Sequence, residues 1–309
     1  MEALYVGVDV SKDRLDAHVL PAGTAFAVAR DGEGLDDLCA RLKGLAPGLV
    51  AVEATGGFET VVVAALGAAG LPVVVVNPAQ VRSYARAIGK RAKTDPIDAA
   101  VIARFAEATK PDIRALPDEE TQRLADLVAR RRQIIQMIIA EKQRQKRATK
   151  AMARSIVRLL KALEQELDEI DRDIDGAVRG SPAWREKEDL LVSVPGVGAV
   201  TARTLLAELP ELGRLTRREI ASLAGLAPFT QQSGQWRGKS FIAGGRSAVR
   251  CALYMAAVTA SRCNGALKAF YQRLLDDGKS KKLALIAVAR KLLTILNAII
   301  RDKKTWQNA

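Results

Sequence analysis

Tyr5-Val6-Gly7-Val8-Asp9-Val10, then Ser11-Lys12-Asp13, then Leu15-Asp16-Ala17-His18-Val19-Leu20, is the stretch that decides the fold. Two β-branched runs flank a short polar turn, so they read as adjacent antiparallel strands. Phe26 to Arg30 can add a third. Gly34 to Leu45 carries Leu35, Leu38, Leu42 and Leu45 at helical spacing. Leu49 to Val52 is a short apolar strand ending in Glu53-Ala54-Thr55-Gly56-Gly57, and Phe58 to Ala69 reads as a helix. Leu71 to Val76 reads as a buried parallel strand stopped by Asn77-Pro78. Ala79 to Ala108 is mostly helical, with Thr94 as a candidate cap before Asp95 and Asp98.

The order βββαβαβα is that of an RNase H-like sheet. A doubly wound dinucleotide fold is disfavoured, because no GxGxxG follows the first strand. Pro111 and Pro117 mark a break, which bounds a first domain at residues 1–112.

Four acids stand out in that domain. Asp9 lies in an apolar strand, where an unpaired carboxylate is costly and must face an edge, a ligand or a metal. Glu53 ends the fourth strand. Asp95 and Asp98 are three apart on a predicted helix and share a face. Four converging carboxylates repel unless a divalent cation lies between them, and hard oxygen donors suit magnesium or manganese. Each acid also has an ordinary reading: an Asx turn for Asp9, a helix-dipole partner for Asp95, an ion pair for Asp98. ATPases and sugar kinases of this fold also begin with an Asp-bearing hairpin. A kinase, however, would need glycine-rich phosphate loops that the helical second half scarcely offers.

From Glu119 to Ala177 the first proline or glycine is Gly176, so a long helical region is expected at residues 118–178. Ile156, Leu160, Leu163, Leu167, Ile170 and Ile174 follow a heptad, either as internal packing or as a dimer seam. Arg123 to Lys161 holds twelve Lys or Arg and two acids, whereas Glu164 to Asp175 holds seven acids and one Arg. The first stretch suits phosphates and the second cannot, which a helical hairpin or coiled coil accommodates. Arg130, Arg131, Arg132, Lys142, Arg144, Lys146 and Arg147 are the candidate nucleic-acid contacts.

A mainly α domain follows at residues 188–306. Pro195-Gly196-Val197-Gly198 before a helix resembles the hairpin of helix-hairpin-helix modules, where Gly196 and Gly198 would let backbone amides approach a phosphate. Gly225 to Lys239 reads as a polar, glycine-punctuated loop containing Ser233, followed by Arg237, Lys239, Arg246 and Arg250. Cations around a serine can stabilise charge developing at phosphorus, although no histidine lies nearby to act as base.

The formal net charge of the 309-residue chain is +13, which argues for a polyanionic partner. Cys39, Cys251 and Cys263 form no CxxC pair, and His18 is the sole histidine, so a zinc site is not expected. Met1-Glu2-Ala3-Leu4 does not read as a signal peptide, and Leu71 to Val76 is too short to cross a bilayer. A cytoplasmic protein with no membrane partner is the expectation.

Val6-Gly7-Val8-Asp9-Val10-Ser11-Lys12, Glu53-Ala54-Thr55-Gly56-Gly57-Phe58-Glu59, Asn77-Pro78 and Lys93-Thr94-Asp95-Pro96-Ile97-Asp98-Ala99 resemble the amino-terminal signature of the insertion-sequence one-hundred-and-ten transposases. The Piv and MooV DNA invertases share that signature. Pro195-Gly196-Val197-Gly198, Gly225-Leu226-Ala227-Pro228, Gln232-Ser233-Gly234 and Arg250-Cys251-Ala252-Leu253-Tyr254-Met255-Ala256-Ala257 are similar to the same family's second half. The resemblance implies a RuvC-like domain in which Asp9, Glu53, Asp95 and Asp98 bind magnesium. It implies that Ser233 links covalently to DNA, and that carboxylate and serine domains of different subunits combine in a dimer or tetramer. It further implies double-stranded DNA and an element-encoded structured guide RNA as partners. One departure is Ala243-Gly244-Gly245-Arg246, where the family commonly has Lys-Arg-Gly-Asn. The rival readings are a RuvC-like nuclease without a covalent intermediate and a non-catalytic nucleic-acid-binding protein.

Overall fold

The computed structural model describes residues 3–90, 94–113 and 118–307, apart from the side chains of Asp95, Pro96, Trp236 and Arg237. The chain divides into two compact units, Met1–Leu116 and Pro117–Ala309.

The first unit is a five-stranded mixed sheet between helices. Its strands are β1 (Tyr5–Val10), β2 (Arg14–Leu20), β3 (Thr24–Ala29), β4 (Leu49–Glu53) and β5 (Val73–Val76). They lie in the order β3-β2-β1-β4-β5. The first three are antiparallel neighbours, while β4 and β5 run parallel to β1. Alternation sorts the side chains onto two faces. Val6, Val8, Val10, Leu15, Ala17, Val19, Val50 and Val52 pack with residues of α1 (Gly32–Leu45) and α2 (Glu59–Ala68). Tyr5, Leu49 and Ala51 pack on the other face with α3 (Pro78–Ala87) and α4 (Asp95–Thr109). Asp31 caps α1 through Gly34 N, and Asn77 caps α3 through Ala79 N. The mostly helical segment from Ala79 to Ala108 is two helices, the first ending before Gly89 at φ +76° and the second beginning after the expected cap Thr94.

The second unit opens with a helical hairpin, α5 (Glu119–Gln145) and α6 (Lys150–Gly180). The heptad residues of α6 are spent inside this hairpin. Ile156, Leu160, Leu163, Leu167 and Ile170 pack with Ile134 and Ile138, and Ile174 packs with Leu124 and Val128. Then come α7 (Pro182–Val192), α8 (Ala199–Glu208), α9 (Arg217–Leu223), α10 (Ser247–Cys263), α11 (Gly265–Asp276) and α12 (Lys281–Asp302). By length and composition α12 is apolar enough to cross a membrane. Here it is a core helix: Ala284, Val288, Ala289, Leu292, Leu293 and Leu296 are fully buried.

The stretch expected to be a loop between α9 and α10 carries four short strands, β6 (Pro228–Phe229), β7 (Gln232–Ser233), β8 (Trp236–Arg237) and β9 (Phe241–Ile242). β6 pairs with β9 and β7 with β8, both antiparallel. The result is a ribbon that leaves the helical core and returns.

Candidate functional site

Asp9 occupies β1 on the face shared with Tyr5 and Gly7, by the two-residue period of the strand. Parallel pairing sets Val8 beside Val52, so Glu53 stands beside Asp9 one step further along β4. Adjacent strands are separated by about 4.8 Å, which brings these two carboxylates into one neighbourhood. Both are half-buried. The same face is covered by α4. A Cβ on Gly7 would lie 2.3 Å from Ala99 O and 2.3 Å from Ala103 N, so only glycine lets the helix backbone approach the strand this closely. Asp98, next to Ala99, is half-buried. Three of the four expected acids, Asp9, Glu53 and Asp98, thus lie around one helix–sheet contact. The side chain of Asp95 lies outside the described residues, although its backbone begins α4.

Among the described residues, no group of three or more His, Cys, Asp or Glu is arranged to hold a metal ion. Asp9, Glu53 and Asp98 are the described members of the expected ligand set, whose fourth member is Asp95. The chemistry of the donors still fits a hard cation, since every candidate ligand is a carboxylate.

A fifth carboxylate was missed in the sequence. Asp16 is directly opposite Asp9 in the β1–β2 register and is only 4% exposed. Arg14 holds it with two hydrogen bonds, Nε to Oδ2 at 2.9 Å and Nη2 to Oδ1 at 2.6 Å. Its signal was an acid between the apolar residues Leu15 and Ala17 of a strand, close to the signal that singled out Asp9. His18, two residues on, faces the same side. Burial and the nearby Arg104 push its pKa below 6.5.

Ser233 lies at the far end of the ribbon. It pairs with Trp236 across the two-residue turn Gly234-Gln235, with Gly234 at φ +56°. Ser233 and its neighbours Gln232 and Gln235 are exposed. The stem is pinned. A Cβ on Gly245 would lie 2.2 Å from Gly225 N, and one on Gly225 would lie 2.2 Å from Gly244 O. Gly244 and Gly245 both adopt positive φ, at 65° and 64°. The Ala243-Gly244-Gly245-Arg246 departure therefore has a local structural role in closing the ribbon's base.

The cations expected around Ser233 divide into different situations. Arg246 is half-buried and forks onto Glu211, donating Nη1 to Oε2 at 2.5 Å and Nη2 to Oε1 at 2.7 Å, with Glu208 O at 3.0 Å. Arg250 donates to Gly244 O at 2.5 Å and so braces the stem. Lys239 is exposed. The side chain of Arg237 lies outside the described residues.

The basic hairpin divides similarly. Arg131 pairs with Asp171 at 2.5 Å, and Lys142 with Glu164 at 3.1 Å. Arg132 pairs with Glu208, and Arg144 with Glu141. The acidic stretch of α6 thus neutralises part of the basic stretch of α5. Arg130, Lys146 and Arg147 are exposed, the last two at the turn between the helices, where they line an open depression with Gln143 and Arg144. Gly196 has φ +101°, and a Cβ there would meet Ala260 at 2.6 Å. Gly198 is the N-cap of α8 and faces open space. The first glycine therefore serves packing, and the second leaves the helix start accessible.

A family model for IS110-type DEDD transposases, described as a transposase, matches residues 6–165. A second, for transposases of the IS116/IS110/IS902 family, matches residues 188–272. The chain is similar to the pilin gene-inverting proteins of Moraxella bovis and Moraxella lacunata, each 27% identical over 99% of this chain and 98% of the relative. It is also similar to an uncharacterized 43.6 kDa protein of insertion element IS110 from Streptomyces coelicolor, 29% identical over 50% of this chain and 38% of the relative.

Proposed function

This chain belongs to the IS110 family of DEDD transposases and is a DNA-recombining enzyme, and from that premise we propose that it exchanges DNA strands through a covalent bond between Ser233 and a backbone phosphate. Asp9, Glu53, Asp95 and Asp98 would hold magnesium or manganese on a domain of the RNase H-like, RuvC-type class. The observation that carries the reading is the placement of Asp9 and Glu53 side by side on one sheet face, beneath the helix that begins at Asp95. The order β3-β2-β1-β4-β5 supports the fold assignment.

A bound divalent cation supplies positive charge to phosphate oxygens at such a site. The chain supplies the rest. Ser233 Oγ forms a bond to phosphorus while the bond to the departing strand's oxygen breaks, and that oxygen takes up a proton as the serine gives one up. Attack by a hydroxyl of the incoming strand reverses the step and returns the proton to Ser233. The exposed Lys239 would meet the phosphate charge, and Arg250 would stiffen the ribbon that presents the serine through Gly244 O. Arg246 acts through its Glu211 pair, as an anchor of the ribbon's base.

The DNA partner is double-stranded. A structured RNA encoded by the element, and assembly as a dimer or tetramer, belong to the same reading. The exposed Arg130, Lys146 and Arg147 and the open start of α8 at Gly198 are the contacts assigned to nucleic-acid backbone. The test is strand cleavage of element-end DNA with magnesium by the intact protein and by Asp9→Asn and Glu53→Gln variants. Loss of cleavage with retained fold and DNA binding supports the reading, and full cleavage by either variant refutes it.

A further inference from the structure

The ribbon that carries Ser233 also carries two aromatic rings. Phe229 of β6 and Phe241 of β9 are cross-strand partners. Their rings stack with centroids 6.0 Å apart and planes 26° from parallel. Even against each other they remain about half exposed, at 50% and 48%. The chain has only six phenylalanines, so committing two of them to one solvent-facing pair is an unusual use of scarce aromatic surface. Ile242, the residue after Phe241, packs into the helical core and fixes the base of the strand.

The charge of the chain segment that carries these rings, in which only Arg246 among the described residues is taken up by an acid, at Glu211, points to the chemistry that would cover them. From Ile220 to Leu275 the chain has no Asp or Glu, whereas Arg237, Lys239, Arg246, Arg250, Arg262, Lys268 and Arg273 fall in that span. An apolar ring pair set in a wholly cationic segment matches a ligand with a flat π face on an anionic backbone. A protein partner with an apolar patch would not call for this charge. Ser233 is four residues from Phe229, or roughly 13 Å along an extended strand.

We propose that Phe229 and Phe241 form a stacking platform for an unpaired nucleobase of the DNA strand that engages Ser233. Stacking tolerates any base, because every base has a π face, so the platform holds an opened strand in place without selecting its sequence. The DNA assignment rests on the proposed role of Ser233. Stacking itself is measured by binding, and so stands or falls separately from the cutting chemistry.

The experiment uses the full chain with an oligothymidine carrying one 2-aminopurine, the same strand annealed to its complement, and the matching oligouridine. The wild-type protein should quench 2-aminopurine fluorescence on binding the single strand. Phe229→Ala and Phe241→Ala should each weaken single-strand affinity by about tenfold and abolish the quench. Affinity for the paired duplex should stay within about twofold, on the scale that stacking rather than phosphate contact governs. Phe229→Tyr should restore both readouts. Ser233→Ala should leave both at wild-type levels even if it forms no adduct. Thermal unfolding identifies any variant that has lost its fold, and the Tyr variant then decides. Equal losses for single strand and duplex would overturn the proposal. So would loss with oligouridine alone, which would make the ligand RNA. A change in oligomeric mass with unchanged oligonucleotide affinity would overturn it in favour of a second copy of the chain.

Discussion

Gly7 of β1 and Ala103 of α4 meet backbone to backbone: a Cβ at Gly7 would lie 2.3 Å from Ala103 N and 3.0 Å from Ala103 Cα. No side chain can yield there, because the opposing atoms are main chain. Gly7→Ala should therefore push α4 off the sheet and cost about 3 kcal/mol, the upper end for overpacking. The displaced helix carries Asp95 and Asp98, so cleavage should fall further than stability alone explains. Urea unfolding and cleavage rates of the folded fraction measure the two effects. A variant with an unchanged midpoint would show that the strand and helix are not in this contact.

His18 gives a clean test of the same sheet face, because it is the only histidine in the chain. Burial first, and Arg104 second, hold its pKa below 6.5. In the folded state it therefore binds fewer protons than in the unfolded chain as pH falls through that value. Its contribution to stability is complete above about pH 6.5 and declines below it. A single imidazole resonance followed by NMR should titrate below 6.5, and Arg104→Met should raise the midpoint while burial keeps it depressed. A midpoint at or above 6.5 in the intact protein would place His18 outside this environment.

The cations of the α5–α6 hairpin should separate into two classes. Lys146→Gln and Arg147→Gln should each lower the slope of log affinity against log salt by about one, the signature of a lost phosphate contact. Arg131→Gln should instead lower stability by about half a kcal/mol through the loss of Asp171 and change the slope little. Binding titrations across a salt series, with thermal melts of the same variants, separate the classes. Identical slopes for all four proteins would remove the hairpin from the DNA-binding surface.

This division shows where sequence reading stopped. The strands β1 and β2 and the helices α1 and α2 were legible because their apolar runs are long enough to read. Asp9 and Glu53 were legible because an acid in an apolar strand needs a reason. The ribbon from Pro228 to Ile242 was not, because its strands are two residues long and separated by two- or three-residue polar turns, which gives no alternation to detect. Arg131, Arg132 and Arg246 read as phosphate contacts because a charge run does not reveal that Asp171, Glu208 and Glu211 fold back onto it. Asp16 went unnoticed beside the more familiar motif around Asp9, and only the strand register sets the two opposite each other.

On the proposed function, the acidic face around Asp9 and the hydroxyl of Ser233 serve one reaction. Denaturing electrophoresis of the protein after incubation with labelled element-end DNA, magnesium and the element's RNA measures it directly. The intact protein should give a covalent protein–DNA band, and Ser233→Ala and Asp9→Asn should give none while both still bind DNA. A band of undiminished strength in either variant would contradict it.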